Sequence, residues 1–173
     1  MTAAAADVTA AAANAPVADE PAGVPVVGEA APDFDLPNQF GERISLASLR
    51  GGNVVVVFYP FAFSGICTGE MCTLRDNLGE FATAKARVLA VSVDSKYTLR
   101  AYAEAEGLDF DLLADFWPHG EMARRYGVFD DERGMAGRGT FVIDGAGILR
   151  DAFSTPTGQA RSLDRYRQAL VEL

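Results

Sequence analysis

This 173-residue chain contains two cysteines, and a short motif precedes the first of them. These are the residues of the chain best suited to catalytic chemistry. Pro60, Ser64 and Cys67 follow an uninterrupted apolar run and precede a segment with helical spacing. That order places Cys67 in the first turn of a helix, where free backbone N–H groups and the positive end of the helix dipole favour a thiolate. The sequence therefore predicts a nucleophilic or redox-active thiol at Cys67, with an inert core cysteine as the alternative.

The remaining candidate ligands form no recognisable cofactor or metal pattern. One histidine, His119, and two cysteines at C-x4-C spacing do not give a zinc site. Neither a G-x-x-x-x-G-K loop nor a G-x-G-x-x-G turn after a strand is present, so no nucleotide site is indicated. We expect no cofactor and no metal, and we interpret His119 as a packing or dimer-interface residue rather than a catalytic base.

The charge of the chain is acidic and unevenly distributed. Fifteen basic against 24 acidic residues give a formal net charge of −9, and residues 1–42 hold seven of the acids and no base. This excess disfavours a nucleic-acid partner, because phosphate recognition depends on Lys and Arg. The chain has no apolar run of membrane-spanning length and no basic region typical of a secretory signal. Two cysteines are too few for a secreted disulfide scaffold, so we expect a cytoplasmic protein that does not bind membranes.

The composition divides the chain into a tail and one domain. Residues 1–25 are rich in Ala and Pro and acidic, which predicts a flexible tail, with a frayed helix over residues 9–15 as the alternative. Residues 26–173 have the length of a single domain. Within it, residues 31–36 and 43–46 flank a polar turn, which predicts an N-terminal hairpin.

The rest of the domain alternates between strand and helix patterns. Apolar β-branched runs predict strands at 54–59, 88–93, 110–113, 140–143 and 148–153, the last two joined as a hairpin. Helical spacing predicts one helix with Met71, Leu74, Leu78 and Phe81 on its buried face, then helices over 95–106, after Asp115 with Pro118 near the first turn, and over 163–173. This order predicts an α/β protein whose central mixed sheet is flanked by helices, and a thioredoxin-like fold fits it.

The pattern around Cys67 resembles the active-site pattern of the peroxiredoxins, Pro-x-x-x-Thr/Ser-x-x-Cys, which Pro60, Ser64 and Cys67 match position by position. Other segments also look like peroxiredoxin segments: Ala31-Pro-Asp-Phe34, Asp115-Phe-Trp-Pro-His-Gly120, Tyr126-Gly-Val-Phe129 and Arg138-Gly-Thr-Phe-Val-Ile-Asp144. The resemblance covers residues 26–173. It implies a thioredoxin-like fold and a thiol-dependent peroxidase.

The resemblance also implies a role for each matching residue. Cys67 would be the peroxidatic cysteine, whose thiolate attacks one peroxide oxygen. The Ser64 hydroxyl, the amides of Ile66 and Cys67, and the Arg138 guanidinium would hold the two oxygens and stabilise the developing negative charge. Pro60 would shield the thiolate from water and overoxidation. From the residues alone, Ser64 could be only a helix N-cap and Arg138 only a surface charge at the start of a strand.

Cys72, five residues after Cys67, departs from the one-cysteine AhpE-like subgroup that the other segments resemble. It matches instead the resolving cysteine of PrxQ- or bacterioferritin-comigratory-type members, and it lies about 100° round the helix from Met71, off the buried face. An intact helix separates the Cα atoms of the two cysteines by roughly 8 to 9 Å. A disulfide spans at most about 7 Å, so its formation requires the first turns to unwind. Glu70 matches a glutamate often present in the family, and a solvated helix face is the alternative.

The predicted function is a thiol peroxidase that reduces hydrogen peroxide and organic hydroperoxides through a Cys67 sulfenic acid. Cys72 would then close an intramolecular disulfide, which thioredoxin or a similar small redox protein would reduce. One alternative is a one-cysteine cycle reduced by an external thiol or a mycoredoxin-type protein. A remote alternative is a thioredoxin-fold copper chaperone, although that class is expected to carry C-x3-C. The sequence leaves both monomer and homodimer open.

Overall fold

The computed structural model describes residues 24–173. The predicted tail therefore lies outside the described residues, apart from residues 24 and 25. The strands are β1 (Asp35–Pro37), β2 (Arg43–Ser45), β3 (Asn53–Phe58), β4 (Ala86–Ser92), β5 (Asp111–Ala114), β6 (Phe129–Asp130), β7 (Met135–Ala136), β8 (Arg138–Ile143) and β9 (Leu149–Thr155). The α-helices are α1 (Gly65–Asp76), α2 (Leu78–Thr83), α3 (Lys96–Glu106), α4 (Glu121–Arg125) and α5 (Leu163–Leu170).

The central sheet has five strands in the order β5-β4-β3-β8-β9. Strand β3 pairs parallel with β4 and antiparallel with β8, so the sheet is mixed as predicted. Strands β1 and β2 form the predicted N-terminal hairpin, with Leu36 opposite Ile44. Because β3 and β8 are neighbours, the loop that leaves the end of β3 comes close to the first residue of β8. This adjacency determines where the candidate site forms.

Strand β3 is buried on both faces, which its uninterrupted apolar sequence predicts. Alternate side chains of a strand point to opposite faces. The odd-numbered residues 55–59 pack among helices α1, α2, α3 and α5. The even-numbered residues 54–58 pack against α4 and the N-terminal hairpin. Each fully buried valine in this strand contributes about 1.5 to 3 kcal/mol through removal of apolar surface from water, so the strand is a firm base for the loop that follows it.

The single helix predicted after residue 66 is two helices, which corrects the sequence interpretation. Helix α1 ends at Asp76, and α2 begins at Leu78. Between them, Asn77 leaves the helical conformation and its side-chain amide donates to the Thr73 carbonyl at 2.8 Å. Asparagine competes with the backbone for such acceptors, and this side-chain bond accompanies the break. The apolar spacing nevertheless continues across the break, since Leu74 and Phe81 are both buried.

The short helix expected after Asp115 begins later than predicted, at Glu121, so Pro118 lies before it rather than in its first turn. The Asp115 carboxylate reaches forward and accepts hydrogen bonds from the amides of Met122 at 3.0 Å and Ala123 at 2.9 Å. A second difference is the hairpin of β6 and β7, which the sequence did not predict because two-residue strands have no readable period. No helix within residues 24–173 is both long and apolar enough to cross a membrane.

Candidate active site

Cys67 is the third residue of α1 and is completely buried. Residues 59–64 connect the end of β3 to this helix, and Pro60 is buried within the connection. The first intrahelical bond runs from the Thr68 amide to the Ser64 carbonyl, at 2.9 Å. The amides of the three residues before Thr68 therefore have no acceptor within the helix. The predicted position of Cys67 in a first helical turn is confirmed.

Arg138 is the first residue of β8, and its guanidinium lies beside Cys67. Its Nη2 donates toward Cys67 Sγ at 3.3 Å, and its Nε donates to the Thr157 carbonyl at 2.8 Å. The Arg138 residue is only 3% exposed, so the alternative of a surface charge is wrong. A planar guanidinium held at two points, with one N–H group aimed at a sulfur, is suited to binding an oxygen that approaches that sulfur.

Glu70 and Arg161 complete a buried charge network around Arg138. Glu70 is 5% exposed and pairs with Arg138 Nη1, so the alternative of a solvated helix face is wrong. Its other oxygen accepts from the Arg161 amide at 2.7 Å and from Arg161 Nε at 3.0 Å. Arg161 Nη1 donates in turn to the carbonyls of Phe58 at 2.9 Å and Gly139 at 3.1 Å. The network therefore fastens α1 to the central sheet.

The charges of this network do not cancel. Two guanidinium groups share one carboxylate, and all three side chains are at most 3% exposed. A buried charge is costly unless it is paired, and one positive charge is left in excess. Cys67 Sγ lies next to this excess positive charge, 3.3 Å from Arg138 Nη2. The arrangement therefore stabilises negative charge that develops on an oxygen bound beside the sulfur.

Ser64 occupies the N-cap position of α1 but does not cap it. Its Oγ donates to the Phe61 carbonyl at 2.9 Å, and among the described residues it makes no side-chain capping bond to the helix. The alternative of a conventional N-cap is therefore wrong for this conformation. The helix amides near Cys67 remain uncapped by Ser64, so they are open to an incoming oxygen.

Asp94 supports the loop before Cys67, a role that the sequence interpretation missed. Its Oδ2 accepts from the Ala62 amide at 2.8 Å and from Ser92 Oγ at 2.8 Å. Asp94 follows β4, the parallel neighbour of β3. Loops at the carboxyl ends of adjacent parallel strands meet at one edge of a sheet. From this rule, the sequence could have indicated that Asp94 lies near the Cys67 loop.

Two aromatic side chains, Phe63 of the loop and Tyr102 of α3, pack against each other. Phe63 adopts a left-handed backbone conformation with φ of 61°, and its ring centroid lies 5.0 Å from that of Tyr102. The Tyr102 hydroxyl donates to Thr68 Oγ1 at 3.1 Å, and burial raises the pKa of Tyr102 to about 12. Tyr102 therefore stays a neutral donor at physiological pH. Left-handed φ is costly for a residue other than glycine and is retained when its surroundings enforce it.

Cys72 lies in the same helix as Cys67, half-buried, and both thiols are free. Its Sγ lies 3.8 Å from Glu106 Oε2 at the end of α3. Helical geometry over five residues keeps the two Cα atoms roughly 8 to 9 Å apart, so no disulfide joins them in this conformation.

His119 lies at a different place in the molecule. Its Nε2 is 2.7 Å from the Gly134 carbonyl in the β6–β7 turn, and its ring packs edge-on against Phe129 with centroids 5.8 Å apart. Within residues 24–173, no group of three or more His, Cys, Asp or Glu side chains is placed to hold a metal ion.

Comparison with known proteins assigns this chain to a family. The model of the AhpC/TSA family matches residues 27–152. Alkyl hydroperoxide reductase E of Mycobacterium tuberculosis strain H37Rv is 45% identical over 148 residues, which cover 85% of this chain and 97% of the relative. The chain belongs to the AhpC/TSA family. Its relatives are named alkyl hydroperoxide reductase and peroxiredoxin, so the predicted family and the predicted enzyme class, a thiol peroxidase, are both confirmed.

Further relatives of this peroxiredoxin agree with that assignment. Peroxiredoxin Bcp of Escherichia coli K12 is 36% identical over 132 residues, covering 73% of this chain and 83% of the relative. The solved structure of BcpB from Mycobacterium tuberculosis is 32% identical with a TM-score of 0.73, covering 84% of this chain and 94% of that one. AhpC of Enterococcus faecalis is 26% identical with a TM-score of 0.79, covering 86% of this chain and 92% of that one. The thioredoxin-like fold is thereby confirmed.

Proposed function

We propose that Cys67 is the peroxidatic cysteine of this peroxiredoxin and that its substrates are hydrogen peroxide and organic hydroperoxides. The observation that carries the proposal is the 3.3 Å contact of Arg138 Nη2 with a buried Cys67 Sγ at an uncapped helix start. Organic hydroperoxides are included because the 45% identical relative is named an alkyl hydroperoxide reductase.

The first half of the reaction uses the groups that surround Cys67. The thiolate attacks one peroxide oxygen, the O–O bond breaks, and the second oxygen leaves with the bonding electron pair as hydroxide or alkoxide, which takes a proton from solvent. Arg138 and the amides of Ile66 and Cys67 hold the two oxygens as negative charge develops on them. Ser64 joins them when its Oγ releases the Phe61 carbonyl, and the buried Pro60 keeps water away. The product is a sulfenic acid on Cys67.

In the second half, Cys72 resolves the sulfenic acid by forming a disulfide with Cys67. The S–S bond forms, the S–O bond breaks, and water leaves. Gly65 and Gly69 flank Cys67, and glycine weakens a helix by about 1 kcal/mol relative to alanine, which supports unwinding of this turn. A small redox protein of the thioredoxin kind would then reduce the disulfide. The alternative is a one-cysteine cycle in which an external thiol attacks Cys67 and Cys72 takes no part.

One experiment tests the assignment and separates the two cycles. Reduced enzyme is treated with one equivalent of peroxide, alkylated and weighed by mass spectrometry, for the wild type, Cys67→Ser and Cys72→Ser. We expect an internal disulfide in the wild type, a sulfenate in Cys72→Ser and no oxidation product in Cys67→Ser. Peroxidase activity above about 1% in Cys67→Ser would refute the peroxidatic role, because a serine hydroxyl is not a comparable nucleophile at neutral pH. A sulfenate or mixed disulfide in the wild type would establish the one-cysteine cycle.

A further inference from the structure

The thiol of Cys72 faces a single carboxylate. Cys72 Sγ donates to Glu106 Oε2 at 3.8 Å, within the longer range of hydrogen bonds that involve sulfur. Among residues 24–173, no other side chain donates a hydrogen bond to the Glu106 carboxylate. Glu106 is the last residue of α3 and is half-buried, so its carboxylate contacts both the thiol and solvent. A group in this position can accept a proton and pass it to water.

The part of α1 that carries Cys72 is fastened to the end of α3. Arg75, three residues after Cys72, donates through Nη1 to the main-chain oxygen of Glu106. Leu74 is buried in the core beside it. By contrast, the turn that holds Cys67 contains Gly65 and Gly69, where an added Cβ would meet nothing within 4 Å. Because Arg75 holds the Cys72 end of α1 to the end of α3, unwinding of the first turn would leave Cys72 in contact with Glu106.

The charged and titratable groups around Cys72 come from both helices. On its own helix these are Arg75 and Asp76, which pair with each other at 2.8 Å. From α3 they are Glu106 and Tyr102, and burial keeps Tyr102 neutral by raising its pKa to about 12. Glu106 is thus the acceptor for a proton that leaves Cys72.

We propose that Glu106 is the general base for the resolving step and removes the thiol proton of Cys72 as Cys72 Sγ attacks the Cys67 sulfenic acid. This inference rests on the proposed role of Cys72. The S–S bond forms and the S–O bond of Cys67 breaks. The departing hydroxide takes a proton from solvent to become water, and Glu106 releases the proton of Cys72 to solvent. An ordinary thiol is mostly protonated at pH 7, so a positioned base accelerates this attack.

The test measures disulfide formation in Glu106→Gln, which keeps the size of the side chain but cannot take the proton. Reduced enzyme is mixed with one equivalent of peroxide, quenched with alkylating reagent at intervals and weighed, from pH 5.5 to 9.5. We expect sulfenate formation at the wild-type rate and disulfide formation slowed at least about 10-fold at pH 6 to 7, the lower side of the usual range for general bases. The slowing of disulfide formation should become smaller as pH rises, because hydroxide in solvent can then remove the thiol proton in place of the carboxylate.

Two variants serve as controls for the structural effects of the substitution. Glu104→Gln changes an exposed glutamate on the same helix, paired with Arg100 at 3.0 Å, and should leave both phases unchanged. Glu106→Asp retains a carboxylate one methylene shorter and should recover part of the rate. A merely structural role for Glu106 predicts the same slowing at every pH, and that result would overturn the proposal. So would wild-type or faster disulfide formation in Glu106→Gln.

The outcomes also separate this inference from the proposed function. If the wild type forms the Cys67–Cys72 disulfide and Glu106→Gln forms it equally fast, only the role of Glu106 is refuted. If the wild type forms no internal disulfide and Cys72→Ser turns over normally, the resolving role of Cys72 is refuted, and the role of Glu106 with it.

Discussion

Arg138 and Cys67 lie 71 positions apart in the sequence, yet Arg138 Nη2 is 3.3 Å from Cys67 Sγ, and both side chains are shielded from solvent. Strand pairing brings them together, since Arg138 opens β8 and the Cys67 loop leaves β3, its neighbour in the sheet. A charged donor in a dry pocket interacts strongly with charge that develops beside it. Under the proposed function, this contact would bear directly on the rate of the peroxide step.

Replacing Arg138 with Lys should slow that step by about 10- to 1000-fold, the range for loss of one transition-state donor. One ammonium cannot hold the Thr157 carbonyl, Glu70 and a peroxide oxygen in the geometry of a planar fork. The measurement is the second-order rate constant with hydrogen peroxide by stopped flow. Arg133→Lys, at an exposed arginine, is the control and should leave the rate constant unchanged. An unchanged constant in Arg138→Lys would remove Arg138 from the reaction.

Glu70→Gln should destabilise the protein by about 3 to 5 kcal/mol, because it leaves two buried guanidinium groups without a counter-ion. Urea denaturation measures the free energy of unfolding. Glu104→Gln, at an exposed helical glutamate, should change it by less than about 0.5 kcal/mol. A loss in Glu70→Gln as small as in this control would mean that the network is not a stabilising unit.

Asp94→Ala should slow the peroxide step about 10-fold, because the loop before Cys67 loses the acceptor for the Ala62 amide and its geometry loosens. The loss should appear in the second-order rate constant, while disulfide formation from the sulfenate stays near the wild-type rate. Asp109→Ala, at an exposed aspartate, is the matched control. If the two variants react equally fast, the Asp94 contact does not position the loop for reaction.

Asp115 should make stability depend on pH. Burial raises the pKa of Asp115 from 3.8 to about 6, although two backbone amides oppose the rise. The folded state therefore binds a proton more tightly than the unfolded state, and this contribution to stability, complete below about pH 4, is lost as pH rises through 6. One pKa unit corresponds to 1.36 kcal/mol, so the loss approaches about 3 kcal/mol.

The measurement for this prediction is the free energy of unfolding of the wild type minus that of Asp115→Asn, which does not titrate. The difference should fall by about 2 to 3 kcal/mol between pH 4 and 7. The same difference for Asp109→Asn, at an exposed position, should stay nearly flat. A flat profile for Asp115→Asn as well would show that the carboxylate is solvated.

The predictable parts of this molecule are those encoded locally. The strand before Pro60 and the helix start at Cys67 were predictable from contiguous residues. The resemblance to the peroxiredoxins identified Arg138 as a candidate site residue. Arg161 could not be found in this way, because it is one polar residue in a loop whose partner is distant in sequence. It binds Glu70 across 91 positions. Asp94 could be located only through the rule that loops at the carboxyl ends of adjacent parallel strands meet. The break at Asn77 is accompanied by a side-chain hydrogen bond to the Thr73 carbonyl, and it does not alter the apolar spacing of the sequence.

Glu70 lies between the two cysteines, while both arginines that hold it belong to segments outside α1. If Cys72 resolves Cys67 as proposed, closing the disulfide would displace the turn that carries Glu70 away from its two arginine partners. The oxidised form would thus be destabilised by the loss of these ion pairs, and after reduction the helix would re-form and restore them. A disulfide formed against this destabilisation would have a more oxidising potential, so it would readily accept two electrons from a dithiol. The ion network around Cys67 would then also help the reduced enzyme to return to its starting conformation.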